Sequence, residues 1–144
     1  MKKRQANAQE QALEEGRRWL RQAEEDLETA TLLFDKERFD WTGFVCQQAA
    51  VKAAKAFLYA QGREKVTGES VVSLCESAAE EDPGFAELTE VVKNLDQFHF
   101  TARFPDALPD GIPAEFFDRR DGEGALEMAR ALFGAVKGRL ERSL

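Results

Sequence analysis

Apolar positions along the chain repeat with helical rather than strand-like spacing. Trp19, Ala23, Leu27, Ala30 and Phe34 recur every three or four residues, with Arg21, Glu24, Glu25 and Glu28 on other faces. That period predicts a first helix from about Gln9 to Asp35. The segment DKERFD breaks the pattern, and Asp40 is placed to cap a second helix by accepting first-turn N–H bonds. The second helix, about 41 to 61, carries the stripe Cys46, Ala50, Ala53, Phe57 and Ala60, broadened by Phe44, Val51 and Leu58. Alanines on several of its faces allow neighbouring helices to come close, as a central bundle helix requires. Gly62 is its natural C-terminal stop.

Past the loop REKVTGES, Thr67 or Ser70 can cap a shorter third helix reaching about Ala79, with Val71, Leu74, Cys75 and Ala78 inward. A fourth, about 84 to 99, aligns Phe85, Leu88, Val92, Leu95 and His99 on one face. After a Pro- and Gly-containing loop, a final helix at about 121 to 141 repeats Ala125, Ala129, Leu132, Val136 and Leu140. No strand-like alternation of any length occurs. The pattern therefore predicts an all-α fold, an up-and-down four-helix bundle with an additional short helix. Residues 1–11 read as a polar N-terminal extension with the basic cluster Lys2, Lys3 and Arg4, and 12–144 as a single helical domain.

Composition narrows the function. The 144 residues carry a net charge of −7, so a broad grip on nucleic-acid backbone is disfavoured and any such contact belongs in a local cleft. Cys46 and Cys75 lie in helical patterns without a CxxC spacing and are expected to be reduced core thiols. With a single histidine, a zinc site is not expected. No apolar leader and no membrane-length run is present, which points to a cytoplasmic protein without membrane contact.

The stretch HFTARFPDALPD, 99–110, gathers His99, Arg103, Asp106 and Asp110 where a helix must break. Pro105 disfavours helical geometry at Phe104, so the helix is expected to end near Ala102. His99 then sits near the helix C-terminus on the core face, where the dipole favours its charge. Arg103 has two readings: an ion pair with Asp26 or Asp106 that closes the corner, or a phosphate-binding guanidinium in a dimer cleft. The polar line Gln48, Lys52, Lys55 and Tyr59 at helical spacing either faces the same cleft or forms a solvated or dimer-edge face.

Three elements in order resemble the HEPN domain (higher eukaryotes and prokaryotes nucleotide-binding). They are the first-helix A-x-x-D-L-x-x-A at Ala23, Asp26, Leu27 and Ala30, the second-helix Gln47, Gln48, Ala49, Lys52 and Lys55, and RFPDA from Arg103 to Ala107. The last is similar to the RYPD-type subgroup paired with minimal nucleotidyltransferases. The resemblance implies a homodimer, a nucleotidyltransferase partner in a toxin–antitoxin-type system, and nucleotide or RNA as ligand. Many members are metal-independent RNases in which an arginine stabilises phosphate charge and a histidine four to six residues later moves a proton.

Here the chain departs from the pattern. Leu108 stands where that histidine would be, and leucine transfers no proton. The position two residues further on, a tyrosine that some partner antitoxins modify, is Asp110. A family-like histidine before the third helix is replaced by Glu69. The expectation is a binding component with a degenerate RNase motif. The alternative is an active RNase toxin that uses Arg103 with His99 or Asp106. Arg103, Asp106, His99, Lys52, Gln48 and Asp26 form the candidate ligand-binding set, with no metal, no cofactor and no catalytic residue assigned.

Overall fold

The computed structural model describes the backbone of residues 2–142 and the side chains of 7–142. Its helices are α1 (Lys2–Asp35), α2 (Phe39–Ala60), α3 (Val71–Glu81), α4 (Phe85–Val92), α5 (Phe98–Thr101), α6 (Pro113–Phe116) and α7 (Arg119–Arg142). Single 3₁₀ turns stand at Leu95–Gln97 and Pro105–Ala107. No strand occurs among the described residues, as the sequence pattern predicts. α1 begins at Lys2 rather than near Gln9, while the side chains of Lys2, Lys3 and Arg4 lie outside the described residues.

α2 is the central helix. It packs along α1, α7 and α3, and the paired short helices α3 and α4 close the bundle onto α7. Ala49, Ala50, Ala53, Ala54 and Ala56 are buried on several sides of it. Its approach to α1 is so close that a Cβ on Gly16 would lie 2.6 Å from the Ala56 carbonyl oxygen and 2.8 Å from the Ala60 Cβ. Small side chains here set the interhelical distance, because larger ones would have to displace backbone.

Helix ends follow local chemistry. At the end of α2, the Gly62 N–H donates to the Tyr59 carbonyl and the Arg63 N–H to the Leu58 carbonyl, with Gly62 at φ +98°. This is the Schellman arrangement that a glycine makes inexpensive. The end of α1 repeats it with Glu37 at φ +60° in the glycine position. Asp40 does not cap α2. The helix starts one residue before it, Arg38 is the flanking residue without a side-chain cap, and Asp40 is buried in the first turn.

Ser70, one of two predicted caps, begins α3: its hydroxyl accepts from the Ser73 N–H at 3.1 Å. The remaining free amides of that turn bond to a carboxylate from another element. Asp96 Oδ1 accepts from the Val71 N–H at 2.7 Å, and Oδ2 from the Val72 N–H at 3.2 Å. Ser70 Oγ and Gln47 Nε2 also donate to Asp96, at 2.8 and 3.1 Å. With the Leu74 N–H bonded to the Ser70 carbonyl, every donor of the first turn has a partner.

The predicted fourth helix is not continuous. It stops at Val92, turns at Lys93–Asn94, tightens into the 3₁₀ turn and resumes as α5. On an unbroken helix His99 would fall in phase with Phe85 and Val92 at seven-residue intervals. The turn shifts the phase by about one residue. Phe98 takes the inward position, fully buried, and His99 moves to the half-buried edge.

Cys46 and Cys75 are buried and unpaired. Burial pushes both thiols up to about 12, against a weak opposing effect of Arg130 on Cys46 and with help from Asp96 and Glu76 on Cys75. The unfolded chain, with ordinary thiols, releases these protons first, so stability is lost as pH rises from about 9 toward 12. At pH 8 iodoacetamide is expected to label neither cysteine in the folded chain and both in denaturant, read by intact mass. Rapid native labelling of either would contradict this burial.

Candidate functional site

The corner after α5 is built on α2. The Phe98 ring packs on the α2 backbone at Gly43, so closely that an added Cβ there would overlap it. Its other neighbour is Phe117, with ring centroids 5.1 Å apart. These contacts fix α5, and the chain then runs where the sequence predicts. α5 ends at Thr101, and Phe104 is extended at φ −127° and ψ 125° before Pro105.

Arg103 folds back from this break. Its Nε donates to the His99 carbonyl oxygen at 2.7 Å. The guanidinium carbon stands 4.3 Å from the Phe44 ring centroid, 5.0 Å from Phe104 and 5.7 Å from Phe100. Three aromatic rings around the cation stabilise it without neutralising it. Of its two readings, the ion pair to Asp26 or Asp106 is not formed among the described residues. Asp26 is taken by Lys52 and by Gln22, and Asp106 is exposed in the second 3₁₀ turn.

His99 lies at the half-buried edge rather than on the core face. Its ring lies 4.6 Å from Phe100, edge to face, and 6.2 Å from Phe44. Nδ1 is buried with no hydrogen-bond partner. Leu108 is half-buried in extended backbone just past the second 3₁₀ turn, and Asp110 is exposed.

The polar line on α2 is held by acids of its own. Lys52 pairs with Asp26, Lys55 with Glu69 at 3.5 Å, and Gln48 donates to Gln47 Oε1 at 2.8 Å and Glu69 Oε1 at 3.4 Å. Phe44 occupies the same stripe one turn before Gln48, so the line runs up to the ring beneath Arg103. The structure thus joins Arg103 to the backbone of His99, leaves Asp106 exposed in the following 3₁₀ turn, pairs Lys52 with Asp26, and bonds Gln48 to Gln47 and Glu69. Periodicity misses the three phenylalanines around the guanidinium, although Phe100 and Phe104 flank Arg103 in sequence and are a signal that could have found them.

The surroundings are apolar and open. Phe100 is 63% and Phe116 58% exposed, and Trp41, Phe104 and Ile112 are about half exposed. Ring contacts link Trp41 to Phe44, Phe44 to His99, and His99 to Phe100. Exposed aromatics joined in this way mark an interaction face more often than a solvated one. Among the described residues no cluster of His, Cys, Asp or Glu could hold a metal ion, and no helix is long and apolar enough to cross a membrane.

Comparison with known proteins adds a family to this geometry. The structure resembles the crystal structure of TT1696 from Thermus thermophilus, with a TM-score of 0.81 and 31% identity over 86% of this chain and 97% of that one. It also resembles the crystal structure of ST0689, described as an archaeal HEPN homologue, with a TM-score of 0.72 and 31% identity over 88% of this chain and 98% of that one. No curated protein matches the sequence. The model of the HEPN domain matches residues 17–139, which spans α1 from Arg17 through nearly all of α7, and the chain belongs to the HEPN domain family.

Proposed function

We propose that this HEPN protein binds a nucleotide or RNA phosphate at Arg103 as a cytoplasmic homodimer. In this reading it partners a minimal nucleotidyltransferase of the kind found with RYPD-type members, in a toxin–antitoxin-type pair, and its RNase motif is degenerate. The observation that carries the reading is the Arg103 guanidinium, set among Phe44, Phe104 and Phe100 and joined to no carboxylate among the described residues, while a leucine, Leu108, stands five residues after it. A guanidinium held by rings and a backbone carbonyl keeps its outer N–H donors for phosphate oxygens. The exposed aromatics Phe100, Phe104 and Phe116 support dimerisation through the same corner.

The test is RNA cleavage and RNA binding by the purified chain beside Leu108→His and Arg103→Ala. The wild type is expected to bind without cutting, with affinity that falls steeply with salt. Leu108→His is expected to gain cleavage, and Arg103→Ala to lose binding. Cleavage by the wild type that vanishes in Arg103→Ala would overturn the non-catalytic reading. Co-purification with a nucleotidyltransferase, identified by mass spectrometry, tests the partner; a consistently solitary protein counts against it.

A second reading is favoured by one observation. His99 Nδ1 is buried without a partner, and the Arg103 guanidinium is bonded to the carbonyl of the same residue and packs on Phe44 and Phe100, the two rings that the imidazole also touches. In this reading the chain cuts RNA through His99 and Arg103, and His99→Ala abolishes the activity while leaving RNA affinity unchanged.

A further inference from the structure

A cationic pocket lies between α1 and α7, apart from the Arg103 corner. Arg17 and Arg21, one turn apart on α1, face Lys137 of α7 across a depression of about 230 Å³. Its apolar surface comes from Leu20, Phe133 and the buried Leu140. Glu24 and Glu141 complete the rim.

The pocket is electrostatically unfinished. None of the ion pairs among the described residues includes Arg17, Arg21 or Lys137. Arg17 Nη2 is moreover buried with no hydrogen-bond acceptor. A guanidinium stays charged at any ordinary pH, and a buried donor without an acceptor is costly, so the site gains from any acceptor delivered to it. Three cations against two carboxylates leave one positive charge, which fits a monoanion and disfavours a doubly charged phosphate. The volume is below the roughly 300–1,000 Å³ of drug-sized sites, so the ligand is small.

We propose that the α1–α7 pocket binds a small organic monocarboxylate, its carboxylate on Arg17 and its apolar body against Leu20, Phe133 and Leu140. Arg17 donates to the carboxylate through the N–H groups it presents to the pocket, and Arg21 and Lys137 add attraction from the rim. The proposal goes beyond the phosphate-binding role and does not depend on it.

Octanoate and its neutral counterpart octanol, titrated into the full chain and followed by ¹H–¹⁵N chemical shifts, test it. Octanoate is expected to give saturable shifts confined to residues 17–24 and 133–141 and to raise the melting temperature. Octanol, and octanoate with Arg17→Met, are each expected to bind at least about tenfold more weakly, the loss of one charged hydrogen bond. Should Arg17→Met fail to fold, Lys137→Met at an exposed position carries the test, with about a threefold loss expected. No saturable shift, equal binding of octanol, or unchanged octanoate affinity in the foldable variant would overturn the proposal.

Discussion

Phe98→Ala is expected to destabilise the chain by about 3–5 kcal/mol and to release the Arg103 corner from the bundle. The ring is fully buried, lies against the Gly43 backbone too closely for any Cβ there, and packs on Phe117. A truncated side chain would leave a cavity that α2 cannot fill, because Gly43 has nothing to offer it. Since Phe98 is also the first residue of α5, the same change removes the anchor that aims His99 and Arg103 at Phe44. Urea unfolding measures the first effect and amide shifts of residues 99–117 the second. Phe98→Leu, which keeps most of the volume, should recover much of the stability. A loss under about 1 kcal/mol for Phe98→Ala would mean that the corner is held elsewhere.

Asp96→Ala ranks next, with an expected loss of about 2–4 kcal/mol. The carboxylate satisfies the Val71 and Val72 amides and ties Ser70 and the fully buried Gln47 to the same point. Without it two N–H groups at the start of α3 lose their acceptors, and the positive end of the helix loses its facing charge. Gln47 keeps its bond to the Glu69 carbonyl at 2.6 Å, and Ser70 still accepts from Ser73, so the damage is local. Asp96→Asn keeps one acceptor oxygen but turns an amide toward the other donors, and an intermediate loss is expected. Equal stability of Asp96→Ala and wild type, at unchanged denaturant slope, would refute the cap.

Asp96 also marks the limit of sequence reading. Its spacing places it on a helix face, and nothing in the local pattern announces that it caps the start of α3, a helix already finished before α4 begins. Only the fold brings the two together. The long helices α1, α2 and α7 are legible because each carries a sustained apolar stripe, and Ser70 because a cap acts within its own turn. The break at Lys93–Asn94 is not, since neither residue is proline or glycine, and the demand for it comes from burying Phe98 against Gly43. For the same reason periodicity puts His99 on the wrong side. Arg103 stands out in the sequence as a candidate, with an acid or a phosphate as its expected partner, whereas the structure surrounds it with aromatic rings.

Residues 103–112 contain no buried side chain, yet the buried Ala102 and Pro113 pin the segment at both ends. Chemistry in this span is therefore almost uncoupled from folding. Substitutions in this span, Leu108→His included, are expected to leave the buried core unchanged. Selection on such a segment is therefore set by what the corner contacts rather than by the demands of the core.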